Sequence, residues 1–132
     1  MAPLILVIDD DPDILEMYCQ ALAAEGYTVA CYADPLPAVD SAPLSQPALV
    51  ILDWLFADAD TGLTTLRSLR TNPATAHIPI LVATAAVHHL QRYAGDLAAA
   101  GIPILYKPFY LDELLSLVSM LVSRGIAAPR RW

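Results

Sequence analysis

Positive charge is what this chain has least of. Its 132 residues carry 7 lysines and arginines against 14 aspartates and glutamates, a net charge of −7. Lys107 is the single lysine, and three of the arginines fall in the last nine positions. A domain that reads nucleic-acid phosphates needs a basic patch, so direct nucleic-acid binding is disfavoured. Cysteine is scarce as well: Cys19 and Cys31 lack C-x-x-C spacing and are expected as reduced core thiols rather than as a disulfide. No apolar run reaches the ~18 to 20 residues of a membrane span. The opening "MAPLILVIDD" has neither the basic start nor the cleavage site of a secretory signal. The expectation is a soluble, cytoplasmic protein with no membrane contact.

Apolar side chains are plentiful, at 57% with positive mean hydropathy, which argues against disorder. The length suits one domain with a real core. Residues 4–8, 28–32, 48–52, 78–83 and 102–106 read as buried strands, each apolar and bounded by turn signals. Helical patterns lie between them, over 12–25, 63–70, 88–100 and 111–123. The first begins with a proline and closes at Gly26. In "DPLPAVDSAPLSQ" three prolines leave room only for a short helix over 36–41. The order is (βα)5. Continuous apolar strands alternating with helices imply an α/β fold whose parallel sheet is covered on both faces. Right-handed crossovers favour the doubly wound order 2-1-3-4-5. One domain over 1–123 is expected, with 124–132 as a short basic tail or truncated linker.

The stretch "LVIDDDPDIL" sets Asp9, Asp10 and Asp11 in a row directly behind an apolar strand. Burying carboxylates costs several kcal/mol unless something pairs with them. In the expected topology strands 1 and 3 are neighbours, about 4.8 Å apart, and Asp53 closes strand 3. Asp9, Asp10 and Asp53 therefore converge at the carboxyl edge of the sheet, where such folds bind ligands. Acids so close cannot all ionise without a counter-charge: either one pKa rises or a divalent cation enters. An all-oxygen cluster on short loops suits Mg²⁺, which retains water and accepts a phosphate oxygen. Strand 4 brings the Thr84 hydroxyl to the same edge, and strand 5, in "YKPF", brings the Lys107 ammonium. This set would clamp a phosphoryl group on Asp53: Asp53 as nucleophile, Mg²⁺ and Lys107 neutralising charge, Thr84 donating a hydrogen bond. The Lys107–Pro108 bond is a candidate for cis geometry.

The motifs "VIDDDP", "PALVILDW", "VATAA" and "YKPF", in that order, resemble the receiver domain of bacterial response regulators, the phospho-acceptor half of two-component signalling. The resemblance spans residues 4 to 122 and implies a flavodoxin-like fold. It implies that Asp53 accepts a phosphoryl group from a histidine kinase or histidine phosphotransfer protein. Asp10 would bind Mg²⁺ directly, Asp9 mostly through water, and the Leu55 backbone carbonyl would be a further ligand. Thr84 and Lys107 take the family's switch hydroxyl and lysine roles. Phosphorylation would then shift the face built from the fourth helix, fifth strand and fifth helix toward a downstream protein target. A single-domain regulator or phosphorelay shuttle fits best, an acceptor assisting its own phosphorylation rather than an enzyme. Alternatives are a degenerate receiver acting as an interaction module, and a Mg²⁺-dependent phosphohydrolase with an Asp nucleophile.

Two departures stand out. Gly62 comes one place later than the family pattern, so "ADADTG" reads as a one-residue insertion beside the site. Ile104 occupies the position of the family's aromatic switch residue, and Tyr106 is the nearest substitute. Other residues have plainer readings. Asp11 is an N-cap before Pro12, Asp58 and Asp60 belong to an exposed loop, and His77, His88 and His89 lie on the surface. Trp54 is expected as partly exposed packing.

A kinetic expectation follows from Leu55 and Ala86, two positions after the acceptor and the threonine. Both are apolar and cannot orient an attacking water, so the phosphoryl group should decay slowly for such a domain. The decay of phosphoprotein with Mg²⁺ checks this. A polar substitution at Leu55 should change the rate, and an unchanged rate would contradict the reading.

Overall fold

The computed structural model describes residues 2–54, 61–85 and 87–124. Its five parallel strands are β1 (Leu4–Ile8), β2 (Thr28–Tyr32), β3 (Leu49–Asp53), β4 (Ile80–Thr84) and β5 (Ile104–Tyr106). They lie in the order β2-β1-β3-β4-β5, as the alternation of strand and helix predicts. The order reverses between β1 and β3, the point where an open sheet of this kind leaves a crevice. The register sets Ile8 beside Leu52 and Asp53 beside Ala83. The carboxyl ends of β1, β3 and β4 are thereby level.

Side-chain alternation divides the core into two layers. Ile5, Val7, Leu49, Ile51, Leu81, Ala83 and Leu105 face α1 (Pro12–Ala24) and α6 (Leu111–Arg124), where Tyr18, Leu22, Leu114, Val118 and Leu121 complete one apolar cluster. The intervening positions Leu6, Ile8, Val50, Leu52, Ile80 and Val82 face the other layer. That layer holds α2 (Pro35–Ser45), α3 (Thr61–Thr71), α4 (Val87–Gln91) and α5 (Ala94–Ala99). Burial of β1, β3 and β4 on both faces explains why these strands are continuous apolar runs.

Helix α1 starts where the sequence signals it. The Asp11 carboxylate caps it by accepting from Asp13 N at 2.9 Å, and Pro12 sits where its missing N–H costs nothing. Gly26, at φ 92°, carries the chain out of the helix.

Three elements differ from expectation. Helix α2 runs 11 residues despite its prolines. Pro35 and Pro37 occupy the first turn, where amides have no intrahelical partner, and only Pro43 interrupts the interior. Its far end is held by Gln46 in the left-handed region, whose side-chain Nε2 donates to Pro43 O and Ala74 O at 3.0 and 2.7 Å. The single helix expected over 88–100 is two, α4 and α5, with a turn at Arg92 and Tyr93 where Tyr93 N bonds Leu90 O at 2.9 Å. Cys19 on α1 and Cys31 on β2 are set side by side, sulfur against sulfur, a proximity their spacing does not announce. The packing of α1 against the strand it precedes brings them together.

No described helix is long and apolar enough to cross a membrane. Residues 125–132 of the expected tail lie outside the described residues.

Gly62, in the first turn of α3, lies tight against the backbone of Trp54 at the end of β3. A Cβ there would overlap the Trp54 carbonyl oxygen and sit 2.9 Å from its Cα and carbonyl carbon. Gly62→Ala should therefore cost about 1 to 3 kcal/mol through overpacking, read as a lower urea midpoint at unchanged slope. An unshifted midpoint would mean that α3 does not dock so closely.

Candidate functional site

Two carboxylates that apolar strands bury are the starting point. Asp9 follows β1 and is 2% exposed; Asp53 ends β3 and is 7% exposed. Both continue the positions that face α1 and α6, since Ile5 and Val7 precede one and Leu49 and Ile51 the other. Asp10 is exposed at the rim. One carboxylate oxygen from each of Asp9, Asp10 and Asp53 lies within 4.8 Å of the others. The sequence argument from neighbouring strands thus brings the three acids together.

Lys107 reaches this cluster from the turn after β5. Its Nζ stands 2.6 Å from Asp9 Oδ2 and 3.8 Å from Asp53 Oδ1. The side chain is 18% exposed, so the pair with Asp9 is largely shielded and is screened by salt less than a surface ion pair. The second oxygen of Asp9 accepts from Asp11 N at 3.0 Å, which fixes the carboxylate plane. The lysine turn is anchored by the sheet, where Lys107 N donates to Thr84 O at 2.9 Å. The Lys107–Pro108 bond is cis, as expected. One ammonium thus lies among three carboxylates, and the remaining negative charge favours a cation. Clustered oxygen donors, one on the rim and two beneath it, fit a hard divalent ion such as Mg²⁺.

Thr84 is fully buried at the end of β4, one position past Ala83, the partner of Asp53. By alternation it belongs with Ile80 and Val82 on the face opposite Asp9. Leu55, Asp58, Asp60 and Ala86 lie outside the described residues. The expected Leu55 carbonyl ligand and the inserted loop fall among them.

Trp54 corrects the sequence reading. It is fully buried rather than partly exposed, and its indole Nε1 donates to His89 Nδ1 at 3.0 Å. His89, expected only as a surface histidine, is therefore a hydrogen-bond acceptor beside the site. The signal that could have found it is the need of any buried indole N–H for a partner. His77 and His88 are exposed, as expected. Ile104 packs at the edge of the cluster that contains Trp54, whereas Tyr106 is 42% exposed.

Comparison with known proteins follows this geometry. Residues 5–119 match the family described as response regulator receiver domain, and the chain belongs to that family. It is 34% identical over 128 residues to the DNA-binding dual master transcriptional regulator RpaA of Synechocystis, covering 97% of this chain and 52% of that protein. It is 38% identical over 120 residues to the response regulator MprA of a Mycobacterium species, covering 91% of this chain and 50% of that one. The chain thus spans about half the length of these curated relatives. Among solved structures, the chemotaxis protein CheY4 of Vibrio cholerae is 25% identical with a TM-score of 0.79, covering 92% of this chain and 99% of that one. The receiver domain of a sensor histidine kinase from Pseudomonas aeruginosa also gives a TM-score of 0.79, at 27% identity, covering 93% and 99%. That protein was crystallised with magnesium coordinated in its active-site cleft.

Tyr18 offers a chemical test of how deeply the α1 layer is buried beside these acids. Its hydroxyl is buried and has no hydrogen-bond partner among the described residues. Burial first, then the negative charges of Asp9 and Asp53, push its ionisation well above the ordinary 10.0. Above that pH the native state holds a proton that the unfolded chain has lost. This contribution to stability is full below about pH 10 and declines as pH rises beyond it. Tyr18→Phe should remove that decline and leave neutral stability unchanged or about 1 kcal/mol higher. Urea midpoints from about pH 8 to pH 11 check it, and parallel curves for both proteins would contradict the placement.

Proposed function

We propose that this chain is a phospho-acceptor: Asp53 takes a phosphoryl group from a phosphohistidine donor, with Mg²⁺ held by Asp9, Asp10 and Asp53. The Leu55 carbonyl belongs to the proposal as a further ligand. The observation that carries it is Lys107, the chain's single lysine, placed 2.6 Å from Asp9 and 3.8 Å from Asp53 in a family of receivers.

In this reading an Asp53 carboxylate oxygen attacks phosphorus, and the bond from phosphorus to the donor histidine nitrogen breaks. Its electron pair leaves with the imidazole. The chain acquires an acyl phosphate and turns over no substrate. A bound Mg²⁺ would neutralise charge on the phosphoryl oxygens and the surrounding acids. Lys107 supplies a fixed positive charge near the Asp53 oxygen and shares it with Asp9, which prevents the ammonium from swinging into solvent. The Thr84 hydroxyl, buried at the end of the adjacent strand, is the donor assigned to a phosphoryl oxygen that extends past the strand ends once Asp53 is modified. Burial of Asp9 and Asp53 keeps the surroundings dry enough for these charges to act strongly.

The partners proposed are a histidine kinase or histidine phosphotransfer protein upstream and a protein target downstream, in the cytoplasm. The second contact would use α4, α5, β5 and α6, and residues 1–123 would form the receiver unit. One relative's name carries DNA binding, but that protein is about twice as long as the match. A net charge of −7 speaks against nucleic-acid contact by this chain itself.

Acetyl phosphate with Mg²⁺, followed by intact-mass analysis, tests the reading. The wild-type protein should gain the mass of one phosphoryl group, Asp53→Asn none, and Lys107→Ala at least tenfold less, as befits loss of a preorganised charge. Rapid release of inorganic phosphate without an adduct would favour a hydrolase. Neither adduct nor turnover would favour a phosphorylation-independent interaction module.

A further inference from the structure

The end of β3 divides between two layers. Leu49 and Ile51 lead to Asp53 on the α1 and α6 side, whereas Val50 and Leu52 lead to Trp54 on the other. Trp54 therefore carries the peptide bond of the acceptor into the layer that holds α4. Its buried indole donates to His89 Nδ1 at 3.0 Å, which requires that nitrogen to be unprotonated. Tyr93, in the turn after α4, packs against both rings, with centroids 5.6 Å from Trp54 and 6.2 Å from His89. Helix α4 has only five residues, too few to persist on internal hydrogen bonds. Its position depends on what it touches, and its described anchors are Leu90 in the core and His89 on the indole. Ile104 offers aliphatic contact alone at the edge of the same cluster.

We propose that the Trp54–His89 hydrogen bond, braced by Tyr93, is a latch that passes the state of Asp53 to α4. The proposal rests on the reading of Asp53 as acceptor and adds the route by which its change is reported. Asp53 and Trp54 share one peptide unit, so a change of charge or partners at Asp53 displaces the indole. The indole is enclosed and has no slack of its own. Its bond to His89 has a narrow range of length and angle, so α4 either follows the indole or releases it. Trp54 and His89 are positioning residues, and neither touches the reacting atoms.

The test removes the acceptor charge directly and needs no phosphoryl donor. Amide hydrogen exchange across Val87–Gln91 is compared between Asp53 and Asp53→Asn proteins. The comparison is made with native His89, with His89→Leu and with His89→Asn, whose side-chain oxygen can replace Nδ1 as acceptor. Trp132→Phe leaves Trp54 as the single indole, whose N–H signal is followed in parallel. With His89, the Asp53→Asn change should alter α4 exchange about fivefold, the weight of one shielded hydrogen bond. His89→Leu should abolish that response and His89→Asn should restore it, while exchange of β1 and β3 amides stays constant as a check on folding. An equal α4 response in His89→Leu, no response with His89, or failure of His89→Asn to restore it would each overturn the latch. Absence of a phosphoryl adduct would instead overturn the acceptor reading and leave this coupling measurable.

Discussion

The arrangement depends on one unequal charge balance. Two carboxylates, on Asp9 and Asp53, are buried at the ends of apolar strands, and a third, on Asp10, stands exposed at the rim. Lys107 is the cation that the described structure brings to them. Removing one partner of such a buried pair leaves an uncompensated charge costing roughly 3 to 5 kcal/mol. Keeping the pair still leaves negative charge in excess. That excess favours a cation at this edge of the sheet. Its composition makes the same point, because a chain with one lysine has placed it where three strand ends meet.

Alternation along β3 gives the second constraint. Adjacent residues of a strand point to opposite layers, so Asp53 and Trp54 cannot serve the same face. The Asp53 carboxylate lies on the α1 and α6 side, and the Trp54 indole on the side that holds α4. Gly62 tightens this junction, since α3 approaches the Trp54 backbone more closely than any side chain would allow. The strand end is thereby held from both sides.

Much of this was legible in the residues. Apolar runs of strand length, separated by helical patterns, specified the sheet order, and the order placed Asp9, Asp10, Asp53, Thr84 and Lys107 at one edge. Capping by Asp11 followed from an acid directly before Pro12. What escaped depended on partners distant in the chain. Helix α2 is longer than its three prolines suggest, because two of them stand in the first turn, where proline costs no hydrogen bond. The break between α4 and α5 has no glycine or proline to announce it. Trp54 and His89 are 35 residues apart, and only the folded topology brings an indole N–H to an imidazole. Cys19 and Cys31 likewise meet through the packing of α1 on β2, which their spacing does not encode.

Whether Asp53 is the phosphoryl-accepting group is tested most directly by locating the phosphoryl group. Phosphoprotein made with acetyl phosphate and Mg²⁺ can be reduced with borohydride, which converts an acyl-phosphorylated aspartate to homoserine, and then sequenced by tandem mass spectrometry. Homoserine at position 53 alone is the predicted result. Homoserine at position 9 or 10, or a stable adduct on a residue outside this edge of the sheet, would contradict the account.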